Sequence, residues 1–182
     1  MQKIEPFYNW RHLYIASKDR KSPFFGYNNS EVFYTHSLYN FVIHPQWDSI
    51  DSETLFAKIL YVNYQKRFAI IELLGEWNDC INNDIMLLKT NIIDCLIYNK
   101  INHFIIIGEN ILNFHFSDDC YYEEWYNEIN KGWITLINFK QHVLDEMNKV
   151  SLHSFMNQNK EWVNWRTFNP NQLYNLIEQK AY

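Results

Sequence analysis

His115, Asp118, Asp119, Cys120 and Glu123 stand close together, and each is a residue type that binds metals or moves protons. Spacings of three and four residues bring such groups onto one face at a helix start. A metal site of this kind is usually marked by repeated Cys or His pairs, and none occur, so a capped helix with a neighbouring histidine is the stronger reading. Glu72 is a second candidate. It interrupts the apolar run Phe68-Ala69-Ile70-Ile71-Glu72-Leu73-Leu74. A carboxyl group on a buried strand has a raised pKa and can serve as a general acid or base. It can equally pair with Arg11, Arg67 or a tyrosine hydroxyl, because structural pairs perturb pKa as strongly as catalytic ones.

Other chemistries find little support. Ser117 has no identifiable histidine base, and no G-x-S-x-G elbow exists. The glycines at 26, 75, 108 and 132 are scattered, so neither phosphate-binding nor dinucleotide-binding loops can be built. Cys80 and Cys120 lie near helix starts, but Asp79, Asp118 and Asp119 oppose thiolate formation. No cofactor is implied. Cys80, Cys95 and Cys120 lack paired spacing and read as reduced thiols.

The elements that must position these residues follow from periodicity. Leu55 to Tyr64 and Phe68 to Leu74 read as two strands joined by the short turn Gln65-Lys66-Arg67. The second is apolar on both faces apart from Glu72, as in a sheet covered on both sides. Beyond Gly75 the period becomes helical, with Ile85, Leu88, Ile92 and Leu96 on one stripe between Asn82 and Asn99. A strand from His103 to Gly108 precedes a polar loop from Glu109 to Ser117 and an acidic helix ending at Lys131-Gly132. Trp133 to Ile137 is a further strand. Asn138 is the expected cap of the next helix, with Gln141 completing a capping box. Val150 to Met156 is a short strand, Gln158 to Asn164 a linker, and Asn169-Pro170 opens a last helix.

The fold class is therefore α/β. A mixed sheet has an antiparallel N-terminal part, the hairpin at 55–74, and parallel strands joined by helices over 75–156. The whole chain, 1–182, forms one domain: aromatic-rich strands and loops at 1–54, the core at 55–156, and a linker and helix at 157–182. Within the first part, Leu13–Ala16 is expected as a short strand and Glu31–His44 as one long extended stretch ended by Pro45. These strands either extend the antiparallel edge or form a separate small sheet. The triplet Asn-Trp-Arg occurs at Asn9-Trp10-Arg11 and again at Asn164-Trp165-Arg166, suggesting that each chain end pins itself to the body with a buried indole.

Ligands of open α/β sheets bind beyond the carboxyl ends of parallel strands. Two such ends are legible, Gly75-Glu76-Trp77-Asn78-Asp79 and Gly108 through Asp119. No Lys or Arg occurs between Lys100 and Lys131, while Glu109, Asp118, Asp119, Glu123, Glu124 and Glu128 fall in that gap. Such a run is either a solvated helix face or a docking surface for a basic partner. The candidate binding residues are Glu76, Trp77, Glu109, His115, Ser117, Asp118, Asp119, Tyr121, Tyr122, Glu123 and Glu124.

The order of elements over 55–156 resembles the STAS domain of anti-sigma-factor antagonists, with Phe116-Ser117-Asp118 where that family carries a phosphorylated serine at a helix start. The resemblance implies a partner-docking surface around Ser117. It is topological, and the small Gly-containing turn after the family's serine is replaced here by Asp119-Cys120-Tyr121-Tyr122.

An apolar content of 47% with 18% aromatic residues is far from a disordered composition and supplies a sizeable core. A net charge of −5 argues against nucleic acid as the partner. No run approaches the roughly 20 apolar residues of a membrane span, and the N-terminus lacks a signal-peptide core. The expectation is a cytoplasmic, non-enzymatic binding or regulatory module with a protein partner, its oligomeric state open. The alternative is a small enzyme using Glu72, Glu76, Glu109 and Asp118 around a rim pocket.

Overall fold

A computed structural model describes residues 2–181. Its centre is a six-stranded sheet. In order across it the strands are β4 (Asp48–Ser49), β5 (Leu55–Asn63), β6 (Phe68–Asn78), β7 (His103–His115), β8 (Trp133–Ile137) and β9 (Asn157–Gln158). β4, β5 and β6 pair antiparallel, and β6 through β9 pair parallel. The sheet is mixed in the way that the hairpin and the later strand–helix alternation predict. Arg67, at φ 61°, takes the left-handed conformation in the β5–β6 turn that glycine more often supplies.

The residues before β4 form a separate three-stranded sheet, resolving the two placements open from sequence. β1 (Gln2–Ile4), β2 (His36–Leu38) and β3 (Phe41–Ile43) pair in the order β1-β3-β2. The long extended stretch expected over 31–44 is instead a short hairpin, because Tyr39 at φ 52° turns the chain between β2 and β3. The strand expected at Leu13–Ala16 is replaced by turns and a 3₁₀ helix, Ala16–Lys18, whose Ala16 packs on the sheet.

The helices are α1 (Asp84–Leu88), α2 (Asp94–Tyr98), α3 (Cys120–Glu128), α4 (Gln141–Lys149) and α5 (Pro170–Ala181). A π-helical turn, Lys89–Ile93, joins α1 and α2 into one continuous helical stretch. Leu88, Ile92, Leu96, Trp125, Val143 and Met147 from these helices pack on one sheet face with Ile71, Leu73, Phe104 and Ile106. On the opposite face Ile70, Ile105 and Ile107 meet Trp10, Trp165 and the α5 residues Leu173, Tyr174 and Ile177. Alternation along β6 and β7 thus feeds two cores, as a doubly covered sheet requires.

Two strands run further than the sequence suggests. β6 continues through Gly75, and β7 continues through Gly108 to His115, so the polar stretch from Glu109 to His115 is strand and not loop. Gly75 has φ 118° and lies against the Thr54 carbonyl, a conformation open to glycine. Gly108 leaves room for the ring of Phe139. A bulge sets three steps of β7, Ile107 to Asn110, against two of β6, Glu72 to Leu74.

A helix end, a helix start and a strand also differ. Lys131, at φ 60°, takes the left-handed position expected of Gly132. Asn138 does not cap α4; its side chain bonds both the N–H and the C=O of Val163, and Lys140 precedes the helix. The strand expected at 150–156 is a 3₁₀ turn, Leu152–Ser154, and the edge strand is the two-residue β9 just beyond it.

Candidate binding site

The two polar strand ends do lie side by side, since Trp77 pairs with Phe114 and Asn78 with His115. Neither end lines the clefts beside β5 and beside α5. Trp77 and Tyr122 are fully buried, with near-parallel rings 6.1 Å apart, so both leave the candidate docking surface for the core. Asp79 joins them. Its Oδ1 accepts from Trp77 Nε1 at 3.1 Å and from the Ile85 N–H at 2.9 Å, and its Oδ2 accepts from the Tyr122 hydroxyl at 2.6 Å. Asp84 accepts the Asn78 N–H at 2.7 Å. These carboxylates satisfy the orphan donors where β6 passes into α1. Burial pushes Asp79 up to about 6 despite its three donors.

The acidic run splits between two faces. Lys89, 1% exposed, donates to Asp94 at 2.6 Å, Glu128 at 2.8 Å and Glu124 at 3.0 Å. Burial lowers the lysine pKa, but those three carboxylates outweigh it and hold the pKa above the ordinary range. The cation missing from the sequence between Lys100 and Lys131 is therefore supplied from the π-helical turn. Glu109 faces the other side of the sheet and pairs with Arg166. On the α3 side Ser117, Asp118, Asp119 and Glu123 remain exposed with His115, and Tyr121 is half-buried. Asp118 and the neighbouring acids hold the Cys120 thiol above its usual pKa. Among the described residues no three His, Cys, Asp or Glu groups are placed to share a metal.

Glu72 is fully buried beneath the chain ends. It accepts the Phe7 N–H at 3.0 Å and an Asn110 amide hydrogen at 3.4 Å, with the Arg166 guanidinium 4.0 Å away. The bulge in β7 brings Glu109 and Asn110 together beside it. Burial pushes Glu72 up to about 7, and the charge of Glu109 adds to the rise. Its cationic neighbour is Arg166, not Arg11 or Arg67. Its raised pKa is that of a buried carboxyl, which is fully enclosed with the Phe7 N–H on one oxygen. Glu76 accepts from the Tyr39 hydroxyl and from Asn113 at 3.0 Å, and the Tyr39 bond above all holds its carboxyl below the usual range. It ties β6 to the small sheet.

A cleft of about 160 Å³ lies elsewhere, between the N-terminal segment and β5. Tyr8, Arg11, Tyr14, Tyr27, Asp48 and Lys58 line it. Asp48 is buried, takes the Asn29 amide at 2.6 Å, and has the Lys58 ammonium 3.1 Å away. Arg11 and Glu31 pair at 3.4 Å on its exposed rim. No motif marks this cleft, because its walls come from four separate stretches of chain. The available signal was aromatic density over residues 7–39. Compared with protein families and curated proteins, the chain matches no family model and no curated sequence.

Proposed function

We propose that this chain is a non-enzymatic binding module that docks an acidic protein partner through its N-terminal layer. One observation carries the reading. Among the described residues, seven of the eleven exposed large apolar side chains lie between Leu13 and Tyr39, among them Phe33 at 75% and Val32 at 69% exposure. Concentrated apolar exposure of this kind marks interaction surfaces, and Tyr and Arg are favoured anchors. The cleft beside it offers Tyr27 and Arg11.

Charge supports the partner's chemistry. Residues 1–47 hold five Lys or Arg against three Asp or Glu, a net of +2, so residues 48–182 carry −7 of the total −5. A basic, aromatic layer on an acidic body favours an acidic segment with apolar anchors. The α3 surface is the weaker candidate, because Lys89 and Arg166 neutralise half of its acids and Trp77 and Tyr122 are inside. Burial of Trp77 and Glu72 weighs against the carboxylate-enzyme alternative.

Affinity capture from source cells with the full chain tests this. A partner held by the wild type and by Glu123→Lys, weakened by added salt and lost from a Val32→Ser/Phe33→Ser double variant, is the expected result. A partner kept by the double variant but lost from Glu123→Lys returns the interface to α3.

A further inference from the structure

A smaller cleft, about 90 Å³, opens between the far edge of the main sheet and α5. Thr135, Asn157, Gln158, Asn159, Ile177 and Lys180 line it. Its edge is unusual in composition. β8 takes only two parallel pairings there, Thr135 with Asn157 and Leu136 with Gln158, and the Asn159 N–H continues the ladder to the Leu136 carbonyl at 3.0 Å. Three consecutive amide side chains therefore sit where an apolar edge would ordinarily cover the sheet.

Three of the six lining residues carry a buried polar atom with no partner among the described residues. They are Thr135 Oγ1, Gln158 Nε2 and Asn159 Nδ2. A buried donor left unpaired is costly, and native proteins leave few of them. Two of these atoms can only donate, and the hydroxyl can donate as well. The other polar groups in the lining are the Asn157 amide and the Lys180 ammonium. Its partner Glu161 is 2.6 Å away but 78% exposed, and an exposed pair of this kind holds its lysine weakly. Lys180 is thus free to turn toward a guest.

Donors gathered without an opposing acceptor call for a guest that brings acceptors. A single water occupies about 10–15 Å³ in the same measure, so the cleft has room for a group of several atoms. We propose that this cleft binds a compact oxyanion, a carboxylate or phosphate group, through Gln158, Asn159, Thr135 and Lys180, with Ile177 as its apolar wall. The site lies on β8, β9 and α5 and does not depend on the N-terminal docking surface. Charge-assisted hydrogen bonds to several donors are the strongest contacts available to such an anion.

The test follows the side-chain amide signals of Gln158 and Asn159 in ¹⁵N-labelled full-length protein. Sodium phosphate and sodium acetate are titrated separately at constant ionic strength, which distinguishes a tetrahedral from a planar anion. The expected result is saturable movement of both signals with at least one anion. Thr135→Val and Lys180→Met should each weaken binding about tenfold, and Asn159→Asp should abolish it by repulsion. Each variant's backbone spectrum reports folding independently of binding. Signals that stay in place through both titrations overturn the proposal. So does saturable movement that folded Asn159→Asp retains.

Discussion

The indoles of Trp10 and Trp165 lie edge to face with centroids 5.5 Å apart, one from each end of the chain. Phe7 packs edge-on against both, at 5.2 Å from Trp10 and 4.7 Å from Trp165. The Trp10 N–H reaches the Phe168 carbonyl at 3.2 Å. The repeated Asn-Trp-Arg triplet thus marks two anchors that meet on one sheet face.

Trp165→Ala should destabilise the protein by about 3–5 kcal/mol, as expected for a fully buried indole. The double variant with Trp10→Ala should cost less than the two single changes together, by about 0.5–1.5 kcal/mol of lost ring contact. Urea unfolding of the three variants measures both quantities. Full additivity would show that the two rings act independently.

Glu72 makes stability depend on pH. Its carboxyl titrates near 7 in the folded protein and near 4.5 as a free side chain, so the folded state holds the proton more tightly. The stability this confers is complete below pH 4.5 and is lost as pH rises through 7. Between those values stability should fall with a slope of up to about 1.4 kcal/mol per pH unit from this group. Glu72→Gln keeps an acceptor for the Phe7 N–H and should flatten the profile. Denaturant midpoints from pH 5 to pH 8 decide, and an unchanged slope would remove Glu72 from the account.

Lys89 should tolerate no neutral replacement. Lys89→Met leaves Asp94, Glu124 and Glu128 facing one another, and the loss should be about 2 kcal/mol, below the fully buried case because the carboxylates are partly exposed. Glu124→Lys should destabilise in the same sense, whereas Glu123→Lys should stay within about 0.5 kcal/mol of wild type. Thermal unfolding at low salt compares the three.

Gly75→Ala places a Cβ 1.9 Å from the Thr54 carbonyl at a φ of 118°. The expected cost is at least about 2 kcal/mol, because backbone strain and a backbone clash combine. Near-wild-type stability would mean that β6 relaxes at Gly75.

Most of the architecture is legible in the sequence because periodicity is local. The apolar run of β6, the stripe Ile85-Leu88-Ile92-Leu96 and the Asn169-Pro170 start each depend only on neighbours. Readings failed where a distant contact governs. Gly108 looks like a stop until Phe139 is seen to need the space, and Asn138 looks like a cap until Val163 takes its amide. The acidic run has a distant partner too, since Lys89 answers Glu124 and Glu128 from another helix. Neither cleft has a contiguous signature, because each is assembled from separate segments.

The main sheet begins with β4 and ends with β9, each only two residues long. Short edge strands are one way in which a sheet limits growth by strand addition, the route to cross-β polymers. Here they cover little: β4 pairs with only Phe56 and Ala57 of the nine-residue β5, and β9 with only Thr135 and Leu136 of β8. From Lys58 to Asn63 the outer side of β5 has no strand partner among the described residues, so that margin is where an added strand would pair.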